Sequence, residues 1–438
     1  MKLSVNKHTQ KLISFIEKSP TPFHAVSNIV SILKDSGALS FDEAGHTAIE
    51  PGNTYYVTRG MSSVIAFKVP ENPKAFMICA SHTDSPCFKL KPDFHKKGAG
   101  GLIMLDTEKY GGMINSSWLD RPLSVAGRVA IRSSAGITLR NVNIDRDLLV
   151  IPNVCIHFNR SINDGFKYNP QTDLSPVYAE GTDSSSLIKL IANELEIDES
   201  SIISHDLYVY NRTKGTFWGA DNEFFSAPRI DNLQCTYSTL MGFLASSQNQ
   251  NIQIYASFDN EETGSSSRQG AASTFLFDTV TRIREAMGIS HTEDVRMLAS
   301  SMMVSADNAH ALHPSHPEFY DPLNAPLMNA GVVIKSNASQ RYTTDAVSSA
   351  LFTEICKSAK VPYQFFANRS DVAGGSTLGN ISNNKVALPT VDIGLAQLAM
   401  HSAYESAGSG DTQYMIKCIK QFYNTVIVCD KDGFYSVK

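Results

Sequence analysis

The feature that most restricts how this chain can fold is a set of apolar runs that each stop abruptly at chemistry-bearing residues. A-F-M-I-C-A-S (75–81) stops at His82-Thr83-Asp84. I-Q-I-Y-A-S-F-D-N (252–260) stops at Glu261-Glu262, and R-M-L-A-S-S-M-M-V-S-A (296–306) stops at Asp307-Asn308-Ala309-His310. Uninterrupted runs of this length are the signature of strands covered on both faces. Segments of helical periodicity separate them. Leu12, Ile13 and Ile16 share a stripe within 7–17, and further helices are predicted over 24–33, 231–245, 271–287, 344–360 and 411–424. Strands are predicted over 64–67, 75–80, 252–258, 297–304 and 386–393. Buried strands alternating with helices give an α/β domain with a largely parallel sheet, and in such sheets ligands bind beyond the carboxyl ends of the strands.

Between 92 and 220 the texture changes. Short β-like runs at 125–131, 137–142 and 148–156 alternate with Gly, Asn and Asp turns, and one helix is expected over 184–195. The division that follows is an α/β domain made of 1–91 and 221–438, with an inserted β-rich domain over 92–220. No internal repeat or low-complexity tract interrupts the chain.

Composition narrows the function. With 438 residues, 42% of them hydrophobic, the chain can bury a core without disulfides. Lys plus Arg number 38 against 43 Asp plus Glu, a net charge of −5 with no basic tract. That balance argues against electrostatically driven binding to nucleic acid or anionic membrane. No run approaches the roughly 18 apolar residues of a spanning helix. Seven scattered cysteines without a C-x-x-C pair fit a reducing compartment, and the first sixteen residues lack a signal-peptide pattern. The expectation is a cytoplasmic protein.

Taken singly, each polar cluster has a plain structural account. His82 and Asp84 point the same way from a strand, so the carboxylate can hold the imidazole, but an H-x-D is also a common capped turn. Glu261-Glu262 can be a solvated pair, or one metal ligand beside one proton carrier. Asp231 and Asp307 each sit where a helix N-cap is common. His401 follows the apolar stretch of L-P-T-V-D-I-G-L-A-Q-L-A-M-H-S and can be a structural histidine. His313 and His316 are taken as loop residues. Taken together, two histidines and several carboxylates, each after an apolar element, supply the ligand set of a dinuclear zinc hydrolase. The chain has no G-x-S-x-G, G-x-G-x-x-G, G-x-x-x-x-G-K-[ST] or H-E-x-x-H.

The order of these segments resembles the M18 metallopeptidases, the aspartyl aminopeptidase family, over nearly the whole chain. The resemblance is carried by S-H-T-D-S-P (81–86), S-S-W-L-D-R-P-L (116–123), H-F-N-R (157–160), S-A-P-R-I-D-N-L (226–233), F-D-N-E-E-T-G-S (258–265), S-A-D-N-A-H-A-L-H-P (305–314), I-K-S-N-A-S-Q-R-Y (334–342) and Q-L-A-M-H-S (397–402). It implies a zinc-exopeptidase-like mixed sheet flanked by helices, and two Zn²⁺ per subunit, with Co²⁺ or Mn²⁺ as substitutes. His82, Asp231 and Asp307 would hold one ion, and Asp231, Glu262 and His401 the other. Glu261 would be the general base and Asp84 would orient His82. His157, in the insertion, would reach the substrate of a neighbouring subunit, with a ligand role as the alternative. His310, Lys335, Arg341 and Tyr342 fall on the substrate side, and Lys335 and Arg341 could meet an acidic side chain, or simply pair with backbone or Asp345. The implied activity is removal of the N-terminal residue, preferably Asp or Glu, from peptides with a free N-terminus. The implied assembly is a tetrahedral dodecamer of dimers joined through the insertion. A related deacylase or carboxypeptidase is the alternative activity, and a non-catalytic assembly protein a more distant one.

Overall fold

A computed structural model describes residues 6–45, 48–181 and 186–438. Its main sheet has nine strands in the order Leu39–Ser40, Thr54–Arg59, Ser63–Lys68, Asn251–Phe258, Ala75–His82, Met302–Ala306, Thr390–Gly394, Val332–Lys335 and Tyr363–Phe366. The four strands from Asn251–Phe258 to Thr390–Gly394 are mutually parallel, and antiparallel neighbours flank them on both sides. The fold is therefore mixed α/β.

Residue parity explains why the central strands read as unbroken apolar runs. All eight residues of Ala75–His82 are buried. Met77 and Cys79 face a core formed with helices Lys7–Glu17, Pro22–Asp35, Ile230–Ala245, Ala346–Ala359 and Asp411–Asn424. Phe76, Ile78 and Ala80 face the opposite core, built with Phe275–Ala286, His291–Ala299 and Leu378–Ser382. Both faces are thus dry, and alternation disappears.

A six-stranded antiparallel sheet takes its strands from Cys87 to Asn211, in the order Gly136–Asn143, Leu123–Ser133, Ile202–Asn211, Cys87–Lys97, Leu102–Tyr110 and Val177–Glu180. Its own core includes Phe88, Trp118, Val125 and Leu207, closed by helix Leu187–Leu195. Of the helix expected over 184–195, Ser184 and Ser185 lie outside the described residues. A third sheet of short strands joins Thr216–Trp218, Phe224–Ala227, Glu405–Gly408, Ala396–Leu398 and Ala309–His310.

Three expected strands differ. Of the run 386–393 only Thr390–Gly394 is strand, since the Leu388 N–H goes to Asn383 Oδ1 and Pro389 has none to give. The run 297–304 divides: Met297 to Ala299 complete helix His291–Ala299, and the strand is Met302–Ala306. The Ser301 hydroxyl donates to Met297 O at 2.6 Å and accepts from Phe76 N, which ends the helix and starts the sheet at one residue. The run 148–156 forms only isolated bridges, Leu123 with Leu149 and Val150 with Val177. Beyond them Pro152 has no N–H to give to a ladder, and Asp120 takes both the backbone and side-chain N–H of Asn153. The chain there becomes a series of exposed turns.

Helix Ile230–Ala245 is buried nearly throughout and lies against Asp411–Asn424. Gly242 lets the two approach, because a Cβ on it would stand 2.7 Å from Ile419 Cβ and Cγ2. Gly242→Ala is expected to destabilise the protein by about 1–3 kcal/mol through overpacking, although alanine is the better helix former by ~1 kcal/mol. A urea midpoint that stays level or rises would show that the contact is looser than described.

Candidate metal centre

Three strand ends and two short-strand turns converge at the carboxyl edge of the main sheet. His82 closes its strand in register with Phe258, so the turn containing Glu261 and Glu262 lies directly beside it. That turn reverses through left-handed Asn260 (φ 61°) and Gly264 (φ 96°). Asp307 follows Met302–Ala306 on the other side of His82. Asp231 lies at the opening of the buried helix, but it is no cap: the N-cap position is Arg229, and Asp231 has the non-helical ψ of 110°. Nor does Asp307 cap a helix, since the short strand Ala309–His310 comes next. The third sheet carries the chain over this edge, through Phe224–Ala227 toward Asp231 and through Ala396–Leu398 toward His401.

The resulting distances are not those of hydrogen bonds. His82 Nε2 lies 3.6 Å from Asp231 Oδ1 and 3.6 Å from Asp307 Oδ1. His401 Nε2 lies 3.5 Å from Asp231 Oδ2 and 3.4 Å from Glu262 Oε2. Ligands held tetrahedrally at zinc bond lengths are separated by roughly 3.3–3.5 Å, which these spacings approach and which exceeds the usual hydrogen-bond range. Three overlapping groups could hold an ion: His82, Asp231 and Asp307; Asp231, Glu262 and His401, with Asp231 common to these two; and His82, Glu261 and Glu262, drawn largely from the same residues. Among the described residues, the buried Asp231 Oδ1 and Glu262 Oε1 have no hydrogen-bond partner. A buried carboxylate oxygen without a donor is a costly arrangement unless a cation meets it. The donor set of imidazoles and carboxylates suits zinc, so the residues fit the metal.

The electrostatics agree. Burial pushes Glu261 up to about 8 against the opposing pull of His82, with Asp307, Asp84 and Asp231 adding to the rise. Burial and Asp231 drive Glu262 well above the carboxylate range. Burial alone would lower His82, but Asp231, Asp307 and Asp84 raise it well above the usual imidazole value. Burial also works against the charge of Asp231, yet His401 and His82 hold it far below the ordinary range. Excess negative charge in a dry pocket is what a divalent cation neutralises.

A layer of hydrogen bonds fixes these side chains. Asp84 Oδ1 lies 3.3 Å from His82 Nδ1 and accepts from Glu261 N at 3.2 Å, while its Oδ2 accepts from Glu262 N at 3.1 Å. Tyr110 donates to the same Oδ2 at 2.7 Å and accepts from Asn260 Nδ2, tying the six-stranded sheet to the site. Glu405 accepts from the backbone N–H of both Asp231 and His401. Neither Tyr110 nor Glu405 emerged from the sequence. Glu405 follows His401 by four residues, a faint signal, and Tyr110 offers none.

The remaining candidates are dispersed. His310 lines a cleft beside His401 with His313, Tyr320 and Met400. Lys335 is buried, donates to Asn308 O at 3.1 Å and lies 3.8 Å from Asp307 Oδ2, with the Tyr342 ring 5.2 Å from its Nζ. Arg341 is exposed and donates to Gly374 O, while Asp345 caps helix Ala346–Ala359 instead of pairing with either cation. His157 lies on an exposed turn and joins none of these groups.

Comparison with known proteins agrees with this geometry. Residues 15–423 match the family model described as aminopeptidase I zinc metalloprotease (M18). A probable M18 family aminopeptidase 2 of Clostridium acetobutylicum is 42% identical over 95% of this chain and 98% of its own. Aspartyl aminopeptidase 1 of Schizosaccharomyces pombe is 38% identical over 94% of this chain and 93% of its own. The solved S. cerevesiae mApe1 dodecamer superposes with a TM-score of 0.85 at 26% identity, over 95% of this chain and 96% of that one.

Proposed function

We infer how this chain works from the premise that it belongs to the M18 family of zinc metalloproteases and is an aminopeptidase. It holds two zinc ions, one on His82, Asp231 and Asp307 and one on Asp231, Glu262 and His401. The observation that carries this reading is Asp231, whose two oxygens face the two imidazoles at 3.6 and 3.5 Å. Zinc supplies Lewis acidity toward a peptide carbonyl and toward water. The rest is done by side chains. Glu261, whose Oε2 lies 4.0 Å from His82 Nε2, takes the proton of the attacking water and returns it to the departing amine. Asp84 holds that base in place through its backbone N–H and orients His82.

His157 acts on the substrate bound by a second copy. Its turn is exposed together with apolar neighbours, Phe158 being 87% exposed, which supports a covering partner. We take 92–220 as the dimerising unit and the assembly as a dodecamer, on the likeness to the mApe1 dodecamer. The preference for N-terminal Asp or Glu rests on the named aspartyl relative and on the buried cation Lys335 near the site, with His310, Arg341 and Tyr342 completing the substrate side. The seven cysteines are all free, which supports a reducing, cytoplasmic setting. Among the described residues no helix is long and apolar enough to cross a membrane.

Exhaustive chelation is expected to abolish peptide cleavage, Zn²⁺ or Co²⁺ to restore it, and Glu261→Gln to keep its zinc while kcat falls by about 10²–10⁴. Cleavage that survives chelation would remove the metal from the reaction. On paired substrates, kcat/KM should be higher for Asp- or Glu-linked than for Leu-linked reporters, and the reverse ranking would defeat the acidic preference. Light scattering should give a dodecamer mass, whereas a monomer at micromolar concentration would contradict the assembly.

A further inference from the structure

Glu405 opens strand Glu405–Gly408 and is 2% exposed. Its Oε2 accepts the backbone N–H of Asp231 at 3.1 Å, and its Oε1 accepts the backbone N–H of His401 at 2.8 Å. One carboxylate therefore fixes the main chain of the residue shared between the ions and of the imidazole on one of them. It belongs to none of the groups that could hold an ion. His401 moreover sits in the left-handed region at φ 66°, which a non-glycine residue keeps only when its surroundings enforce it. The bond from His401 N to Glu405 is such a constraint.

Glu405 is itself oriented. Gln397 Nε2 donates to its Oε1 at 3.1 Å, and Gln397 Oε1 accepts from Asn308 Nδ2 at 2.7 Å. Asn308, which adjoins Asp307, also donates to Gln234 Oε1 at 2.9 Å, and Gln234 Nε2 donates to Thr412 Oγ1. All four of Glu405, Gln397, Asn308 and Gln234 are buried. This chain of amides links the backbone of Asp231 and His401 to the segment of Asp307. A fully satisfied polar network in a dry interior holds geometry tightly, since each broken bond strands a buried group.

We propose that Glu405, oriented by Gln397, is a positioning residue of the metal centre that sets the spacing of Asp231 and His401 and thereby the affinity for the ion they share with Glu262. The proposal rests on the two-ion reading above. In Glu405→Gln the side-chain shape is kept, but one oxygen becomes an NH₂ that cannot accept, so the three donors from Asp231, His401 and Gln397 are left with a single acceptor oxygen.

The test is zinc binding to the purified full-length oligomer by competition with a chromophoric chelator, together with the visible spectrum of the Co²⁺-loaded protein. Wild type is expected to bind two ions. E405Q should weaken one of the two zinc affinities by about 10–100-fold and change the Co²⁺ absorption. Its kcat should fall at limiting zinc with KM unchanged and recover when zinc is in excess. Wild-type affinities and spectrum in E405Q would overturn the proposal while leaving the two-ion reading intact. Fewer than two ions in wild type would overturn that reading, and the proposal with it. If E405Q does not fold, Gln397→Leu decides: a weakened zinc affinity supports the positioning role and an unchanged one overturns it. Failure of both variants to fold would also overturn it, because the network would then be structural alone.

Discussion

Removing several carboxylates from water at one sheet edge is the constraint on which this protein is organised. Asp84, Asp231, Asp259 and Glu405 are almost wholly buried, and Glu261, Glu262 and Asp307 are largely so. Such a cluster cannot keep its charge in a dry interior without a cation or a dense set of donors. The structure uses both solutions, and divides them by residue. Asp84 and Glu405 are saturated by N–H and O–H donors. Asp231 and Glu262 each keep a buried oxygen free of any donor among the described residues. The saturated carboxylates build the cradle, and the unsaturated ones keep oxygens with which a cation could be met.

The three sheets share this task unequally. The main sheet brings His82, Glu261–Glu262 and Asp307 to adjacent strand ends, where parallel register alone puts them within reach of one another. The short-strand sheet swings Asp231 and His401 over that edge from distant parts of the chain. The antiparallel sheet contributes Tyr110, whose hydroxyl closes the last position on Asp84. The chain between strands Gly136–Asn143 and Val177–Glu180 of the same sheet carries the exposed turn with His157.

Legibility in the sequence followed the strength of periodicity. The apolar runs ending at His82, at Glu261 and at Asp307 were readable because a strand buried on both faces carries apolar residues at most positions and no charge until it leaves the sheet. Helix Asp411–Asn424 was readable to the residue, with its apolar positions on one stripe. The third sheet was not, since strands of two to four residues such as Ala309–His310 and Ala396–Leu398 are too short to show a period. Run 297–304 misled because a helix end and a strand start share one apolar stretch, and Ser301 divides them by hydrogen bonds that composition does not encode. For Lys335 and Arg341 the sequence left open a substrate role or a backbone partner, and each donates to a backbone carbonyl here, Lys335 also lying 3.8 Å from Asp307. Glu405 was hidden for the same reason as Tyr110: each acts through a hydrogen bond to a residue distant in sequence, Asp231 for the one and Asp84 for the other, and neither bond leaves a pattern.

The most direct test is anomalous diffraction at the zinc edge from crystals of the zinc-loaded protein. The account predicts two peaks in each chain, roughly 3.5–4 Å apart, both bonded to Asp231. One should lie against His82 and Asp307 and the other against Glu262 and His401. A single peak, or two that do not share Asp231, would contradict it.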